Sequence, residues 1–263
     1  MTGNIEINNV SKTYVAASGG KKPTHALGLI NLSIKSGEFV CIVGTSGCGK
    51  STLLRLIAGL EKPAKGGEIF LDGALIDGAD KTRGMVFQEH SLFDWLTVKK
   101  NIIFALKATG KYNKKTADTV VNELLQKAGL TEFADSYARE LSGGMRQRAA
   151  LIRSIAANPS VLLLDEPLGA LDNFTRMNLQ DYILQLWQER KNTTVMITHD
   201  IDEAIYLANR IIVMKPHAGK ITKIIDNPMP YPRNRGCTEF LTLRKILLQH
   251  LNFATEPAQE YNL

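Results

Sequence analysis

The alternation of apolar and polar positions opens the chain as a strand. Ile5, Ile7 and Val10 are apolar among polar neighbours, as in a half-buried strand. Residues 26–34 repeat the pattern, with apolar positions at Leu27, Leu29, Leu32 and Ile34. Residues 16–24 between them, rich in Gly, Lys, Ser and Ala, read as an exposed hairpin loop. Phe39-Val40-Cys41-Ile42-Val43 and Val161-Leu162-Leu163-Leu164 are unbroken apolar runs, as strands are when both sheet faces are covered. Residues 68–71, 84–88 and 193–197 read as further strands, and residues 211–214 and 221–225 as a closing pair. Elsewhere the period lengthens. Residues 53–59, 98–108, 114–128, 145–156 and 172–190 carry apolar residues at helix spacing. Asp200 followed by Glu203 reads as a capping box for a helix through residue 209. A stretch with Pro228, Pro230 and Pro232 precedes a candidate helix at 239–251.

Strands alternating with helices predict an α/β fold with a parallel sheet. Residues 92–138 hold helices and no strand, which reads as an inserted helical subdomain. The expected division is a single domain. Residues 1–91 and 158–227 form its core with an N-terminal antiparallel β subdomain, 92–157 the helical subdomain and 228–263 a tail.

Between the apolar run at 39–43 and the helix at 53–59 stands Gly44-Thr45-Ser46-Gly47-Cys48-Gly49-Lys50-Ser51-Thr52. This is the G-x-x-x-x-G-K-[ST] spacing of a phosphate-binding loop, in the strand–loop–helix context that the motif requires. A triphosphate needs many N–H donors in a small concavity, and side chains at the glycines would block its approach. The helix N-terminus adds partial positive charge. Lys50 is placed to reach the β- and γ-phosphates, and Ser51 to offer its hydroxyl to Mg2+. Cys48, near Lys50 at the helix start, is expected to be an open thiol of lowered pKa, reactive with N-ethylmaleimide unless MgATP covers it.

Asp165 and Glu166 end the run at 161–164, and ligands of parallel sheets bind beyond the carboxyl ends of strands. One acid there can hold Mg2+ through water and the other can polarise an attacking water. Leu141-Ser142-Gly143-Gly144-Met145-Arg146-Gln147-Arg148 reads as a helix start with a serine cap. Consecutive glycines are poor helix formers, and a second anion site at this N-terminus would account for them.

With these motifs in this order, the chain resembles the ATP-binding cassette ATPases of ABC transporters from Tyr14 to Met214. Leu141-Ser142-Gly143-Gly144 is similar to the family signature, and Leu163-Leu164-Asp165-Glu166-Pro167 to the segment that follows it. The resemblance implies a P-loop NTPase core. It implies that Tyr14 stacks on adenine and that residues 44–52 hold the phosphates of ATP. Ser51, Gln88 and Asp165 would attend Mg2+, Gln88 also the attacking water, and Glu166 would be the general base. His199, which on its own reads as a structural histidine, would contact the γ-phosphate. Ser142, Gly143 and Gly144 would bind ATP held by a second ATPase subunit, and Asp172 would bridge the two in a head-to-tail dimer.

Residues 91–98, with Phe93-Asp94-Trp95, and the tail, with Tyr231-Pro232-Arg233, are similar to importers of nitrate, sulfonate, taurine and bicarbonate. Those often carry Leu-Pro-Trp at the first place, and Met145 stands where the signature commonly has Gln. The expectation is the ATPase subunit of a bacterial importer of a small anion. It would lie on the cytoplasmic face of the inner membrane, held by transmembrane permease subunits and served indirectly by a periplasmic or lipoprotein solute-binding protein. Alternatives are an exporter or lipid-handling ATPase, or one acting on nucleic acid or ribosomes. The last class usually carries long coiled-coil insertions or two cassettes, and neither is found in this sequence. Trp95 reads equally as a core residue or as an anchor for the membrane subunits.

Composition adds bounds. The 263 residues, 44% hydrophobic and 22% charged, suffice for a sizeable core. The net charge of +6 is scattered, as at Lys21-Lys22, Lys99-Lys100 and Lys114-Lys115, and reads as solvated faces rather than a nucleic-acid patch. Attraction to an anionic membrane surface stays open. Cys41, Cys48 and Cys237 have no metal or disulfide spacing, which fits a reducing compartment. No signal stretch or membrane-length apolar run is present, so a soluble, cytoplasmic protein is expected, with other chains doing any spanning. A regulatory domain like that of some sugar and sulfate importers has no room after the tail.

Overall fold

The computed structural model describes residues 2–15, 23–88, 92–110, 112–169, 171–216 and 219–251. Its main sheet runs in the order β10 (Lys220–Asp226), β9 (Arg210–Lys215), β3 (Phe39–Gly44), β8 (Thr193–Thr198), β7 (Val161–Asp165) and β6 (Arg83–Val86). The strands from β9 to β6 are parallel, and β10 pairs antiparallel with β9.

Side-chain alternation sorts these strands into two cores. Phe39, Cys41, Val43, Leu162, Leu164, Met196, Ile211 and Val213 enter one apolar cluster. Val40, Ile42, Val161, Leu163, Val195, Ile197, Ile212 and Met214 enter the other. That is why the runs at 39–43 and 161–164 have no polar position. Each such side chain contributes about 1.5–3 kcal/mol through burial.

The first face is covered by α2 (Val98–Ala108), α3 (Ala117–Lys127), α4 (Gly143–Ala156), α5 (Asn173–Arg190), α6 (Ile201–Leu207) and α7 (Thr238–His250). The second is covered by α1 (Lys50–Ala58) and an antiparallel sheet, β2 (Thr24–Ile34), β1 (Ile5–Tyr14), β4 (Glu68–Leu71) and β5 (Ala74–Leu75). The α/β class, the parallel sheet, the N-terminal antiparallel sheet and the inserted helices are as the sequence predicts. Of the hairpin loop expected over residues 16–24, residues 16–22 lie outside the described residues, and Thr24 already opens β2.

Local chemistry explains where boundaries differ. The alternation Ile5, Ile7, Val10 slips by one because Asn9 adopts φ 53° and the register shifts there. Gly59 closes α1 in the left-handed conformation, and its N–H reaches the carbonyls of Arg55 and Leu56. α4 starts at the glycines, two residues before the expected 145, because Ser142 accepts from the Met145 N–H and fixes the first turn. The capping box at Asp200 is half formed. Asp200 Oδ1 accepts from the N–H groups of Asp202 and Glu203, but the Glu203 carboxylate turns inward and accepts from Thr198 Oγ1 at 2.6 Å. β5 and the 3-10 turns at Thr131–Phe133 and Ala138–Glu140 are too short to show periodicity.

Two polar anchors shape the surface. Asn101, buried in α2, donates to the carbonyls of Phe93, Leu96 and Thr97 and accepts from the Phe93 N–H. It thereby holds the loop that carries Trp95. Arg233 donates to the carbonyls of Ile205, Tyr206 and Ala208, tying the tail to the end of α6. Among the described residues no helix is long and apolar enough to cross a membrane.

Candidate active site

Parallel strands end on one edge of the sheet, so segments distant in sequence meet there. β3 ends in the glycine loop, β6 leads to Gln88, β7 ends at Asp165 and β8 leads to His199. Register aligns them: Val43 pairs with Thr198, Asp165 with Ile197 and Val86 with Leu164. The result is a cleft of about 500 Å3 lined by Tyr14, Thr24, His25, Ala26, Ser46, Gly47, Gly49, Lys50, Ser51, Thr52, Gln88, Glu166 and His199. A larger hollow of about 720 Å3 lies beneath the tail, among Pro228, Met229, Leu243 and Ile246. It is mostly apolar and shares no lining residue with the smaller cleft, which gathers the glycine loop, Lys50, Gln88, Glu166 and His199.

The glycines of the loop have steric reasons. Gly49 sits at φ +93°, where a Cβ would lie 2.3 Å from the Ala26 carbonyl oxygen. At Gly44 a Cβ would lie 2.4 Å from the Met214 carbonyl oxygen. The first turn of α1 has no side-chain cap and no acid, which leaves its N–H groups and their partial positive charge for an anion. Lys50 is buried and donates to the carbonyls of Gly44 at 2.8 Å and Thr45 at 3.1 Å. Its charge thus sits over the loop. The expectation of a reactive Cys48 is overturned. Cys48 is 1% exposed, packed in the core with Ile42 and Leu53, and burial pushes its thiol up despite the opposing pull of Lys50. Its backbone belongs to the loop; its side chain points to the core.

The acids lie opposite. Asp165 is buried and accepts from Ser51 Oγ at 3.0 Å. Burial raises its carboxyl above the usual range, the Ser51 hydrogen bond opposes this, and the neighbouring Glu166 charge adds to it. Glu166 turns its side chain into the cleft, where Oε2 lies 3.4 Å from both Gln88 Nε2 and His199 Nδ1. Its backbone is left-handed, φ 46°, at a cost of about 1–2 kcal/mol for a residue with a Cβ. Three bonds hold it so: its N–H donates to the Ile197 carbonyl, and its own carbonyl accepts from the Gly169 N–H and from Gln147 Nε2.

Tyr14 stands at the cleft mouth and donates to Glu61 Oε2 at 2.6 Å. Lys12 also meets that carboxylate, at 3.4 Å. Burial raises the Tyr14 hydroxyl's pKa. No sequence signal pointed to Glu61, which is 47 positions away and follows no motif. Gln147 could have been found: like Ser154, it is a polar residue on the mostly apolar buried face of α4.

Ser142, Gly143, Gly144 and Asp172 are not brought to this cleft. Ser142 caps α4, Gly144 lies where a Cβ would meet Leu171 at 2.8 Å, and Asp172 caps α5 by accepting from the Thr175 N–H. That bond lowers the Asp172 carboxyl below the usual range. Trp95 is 73% exposed, so its core alternative is excluded.

Comparison with known proteins accords with this geometry. Residues 27–169 match the family described as ABC transporter. The aliphatic sulfonates import ATP-binding protein SsuB of Bacillus cereus is 46% identical over 249 residues, 95% of this chain and 96% of that one. The nitrate import ATP-binding protein NrtD of a Synechocystis species is 45% identical, over 88% of this chain and 86% of that one. A dimeric post-hydrolysis structure of the ATP-binding cassette MJ0796, bound to ADP and Pi, superposes with a TM-score of 0.76 at 34% identity, over 86% of this chain and all of that one. The chain therefore belongs to the ABC transporter family and is one of its ATP-binding, ATP-hydrolysing cassettes.

Proposed function

We propose that this cassette drives uptake of a small anion of the nitrate, sulfonate, taurine or bicarbonate class. It would do so from the cytoplasmic face of the membrane, bound to permease subunits and paired with a second cassette. A solute-binding protein outside the membrane would select the cargo. The import reading is supported by the named functions of the relatives at 45–46% identity. Trp95, exposed against Phe93, which in turn packs on Phe104, supports a docked permease, because aromatics are favoured interface anchors. The working division keeps residues 1–91 and 158–227 as nucleotide-binding core, 92–157 as helical unit and 228–263 as tail.

The observation that carries the hydrolytic mechanism is the convergence of Lys50, Ser51, Gln88, Asp165, Glu166 and His199 on one strand edge. Tyr14 stacks on adenine, residues 44–52 wrap the phosphates, and Lys50 offsets the charge of the β- and γ-phosphates. Glu166 accepts a proton from the water that attacks the γ-phosphorus, and the bond from that phosphorus to the bridging oxygen breaks. Gln88 and His199 hold the Glu166 carboxylate and the γ-phosphate in line. Ser51 and Asp165 present hard oxygen atoms side by side, the donor type Mg2+ prefers. With Gln88 they would hold the cation, which neutralises charge on the phosphate oxygens. The separation of Ser142, Gly143, Gly144 and Asp172 from the cleft supports their use on a partner's nucleotide in a head-to-tail pair.

The test is uptake of labelled nitrate, taurine, an aliphatic sulfonate and bicarbonate by cells lacking this chain. Loss of one, restored by wild type and not by Lys50→Ala, supports the reading. Unchanged uptake of all four refutes the anion class.

A further inference from the structure

Gln147 lies on α4 five residues after the signature serine, yet its side chain faces its own subunit's Glu166. It is 3% exposed, and its Nε2 donates to the Glu166 carbonyl at 3.4 Å. Its Oε1 is buried without a hydrogen-bond partner among the described residues. A buried amide satisfied at one end only is costly, so the one contact it makes is the informative one. The residue it meets is the left-handed Glu166, whose backbone must be held for the carboxylate to face Gln88 and His199.

The same face of α4 carries a second polar tie. Two helical turns on, Ser154 Oγ donates to the Met85 carbonyl of β6. Among the described residues these two ties join α4 to the sheet and to the turn that follows β7, and of the two it is the Gln147 tie that touches the base.

We propose that Gln147 is a positioning residue for hydrolysis: it holds the Glu166 backbone so that the carboxylate keeps its aim. It also makes that aim depend on α4, the helix whose N-terminus carries Ser142 and Gly144. Engagement of the signature by a partner's ATP would therefore be felt at this subunit's own base. The inference rests on Glu166 being the base, as proposed above.

The test compares Gln147→Met, which keeps length and helix propensity but removes the donor, with Ser154→Ala, which removes the other tie. In the full chain, Gln147→Met should lower kcat about tenfold, the worth of one lost hydrogen bond, with KM for MgATP changed by less than about twofold. Like Glu166→Gln, it should still form the ATP-dependent dimer on size-exclusion chromatography. Ser154→Ala should lower the melting temperature and leave kcat unchanged. Wild-type kcat in Gln147→Met overturns the proposal, as does an equal kcat loss in Ser154→Ala. Loss of the ATP-dependent dimer in Gln147→Met also overturns it, since the residue would then act through the signature. If Gln147→Met folds poorly, Gln147→Asn, too short to reach the carbonyl, is read by the same criteria. An active Glu166→Gln would instead sink the assignment of the base itself.

Discussion

Replacing Glu166 by Gln and by Gly separates its chemistry from its backbone. The amide keeps the size of the carboxylate and every backbone bond at φ 46°, so Glu166→Gln should unfold within about 0.5 kcal/mol of wild type. It cannot accept the proton of the attacking water, and loss of a general base costs about 10²–10⁴ in rate, or about 3–5 kcal/mol of barrier. Glu166→Gly loses the same chemistry but relieves the left-handed penalty of about 1–2 kcal/mol. Against this stands the extra entropy of glycine in the unfolded chain, about 0.5–1 kcal/mol. The Gly variant should therefore be about 0–1.5 kcal/mol more stable than the Gln variant, about 0–6 °C in melting temperature for a chain of this size. Phosphate release at saturating MgATP gives kcat, and thermal melts without nucleotide give stability. Size-exclusion chromatography with MgATP should show Glu166→Gln as a dimer. Wild-type turnover in either variant refutes the base assignment. A Gly variant melting well below the Gln variant refutes the strain argument, because the left-handed backbone would then cost nothing.

Other outcomes follow from the same geometry. Burial raises the Asp165 carboxyl. Its contribution thus favours the fold below its unfolded pKa and is lost as pH rises through the folded value. Asp165→Asn should therefore raise the melting temperature of the nucleotide-free protein at pH 7, with the gain shrinking as pH falls into the carboxylate range. A lower melting temperature at pH 7 would contradict the sign. Trp95→Ala should keep the fold and basal ATPase rate of the isolated chain, since the ring is largely in solvent, and lose co-purification with permease subunits. Unfolding of that variant would mean the ring is structural. N-ethylmaleimide should label the partly exposed Cys237 before the buried Cys48, read by peptide mass spectrometry; faster labelling of Cys48 would contradict its burial.

What the sequence determined is whatever local pattern encodes. Unbroken apolar runs at 39–43 and 161–164, too short for a buried helix, read as two-sided strands, and both are interior strands of the sheet. The glycine loop was legible because phosphate chemistry demands those residue types at that spacing, and Gly44 and Gly49 prove to have no room for a Cβ. Asp165 and Glu166 were legible because a strand end is where parallel sheets place ligands. Tertiary structure decided the rest. Thiol exposure at Cys48 depends on which way one side chain turns from the loop, and local charge could not foresee the core around it. Glu203 reads in sequence as half of a capping box, but burial beside Thr198 gave it a stronger partner. The Glu61 carboxylate reaches Tyr14 only because the antiparallel sheet folds over α1. The helix pattern marks Gln147 as a buried polar position, but its tie to Glu166 exists only once α4 lies along the sheet, since which groups of separate elements meet is set by packing.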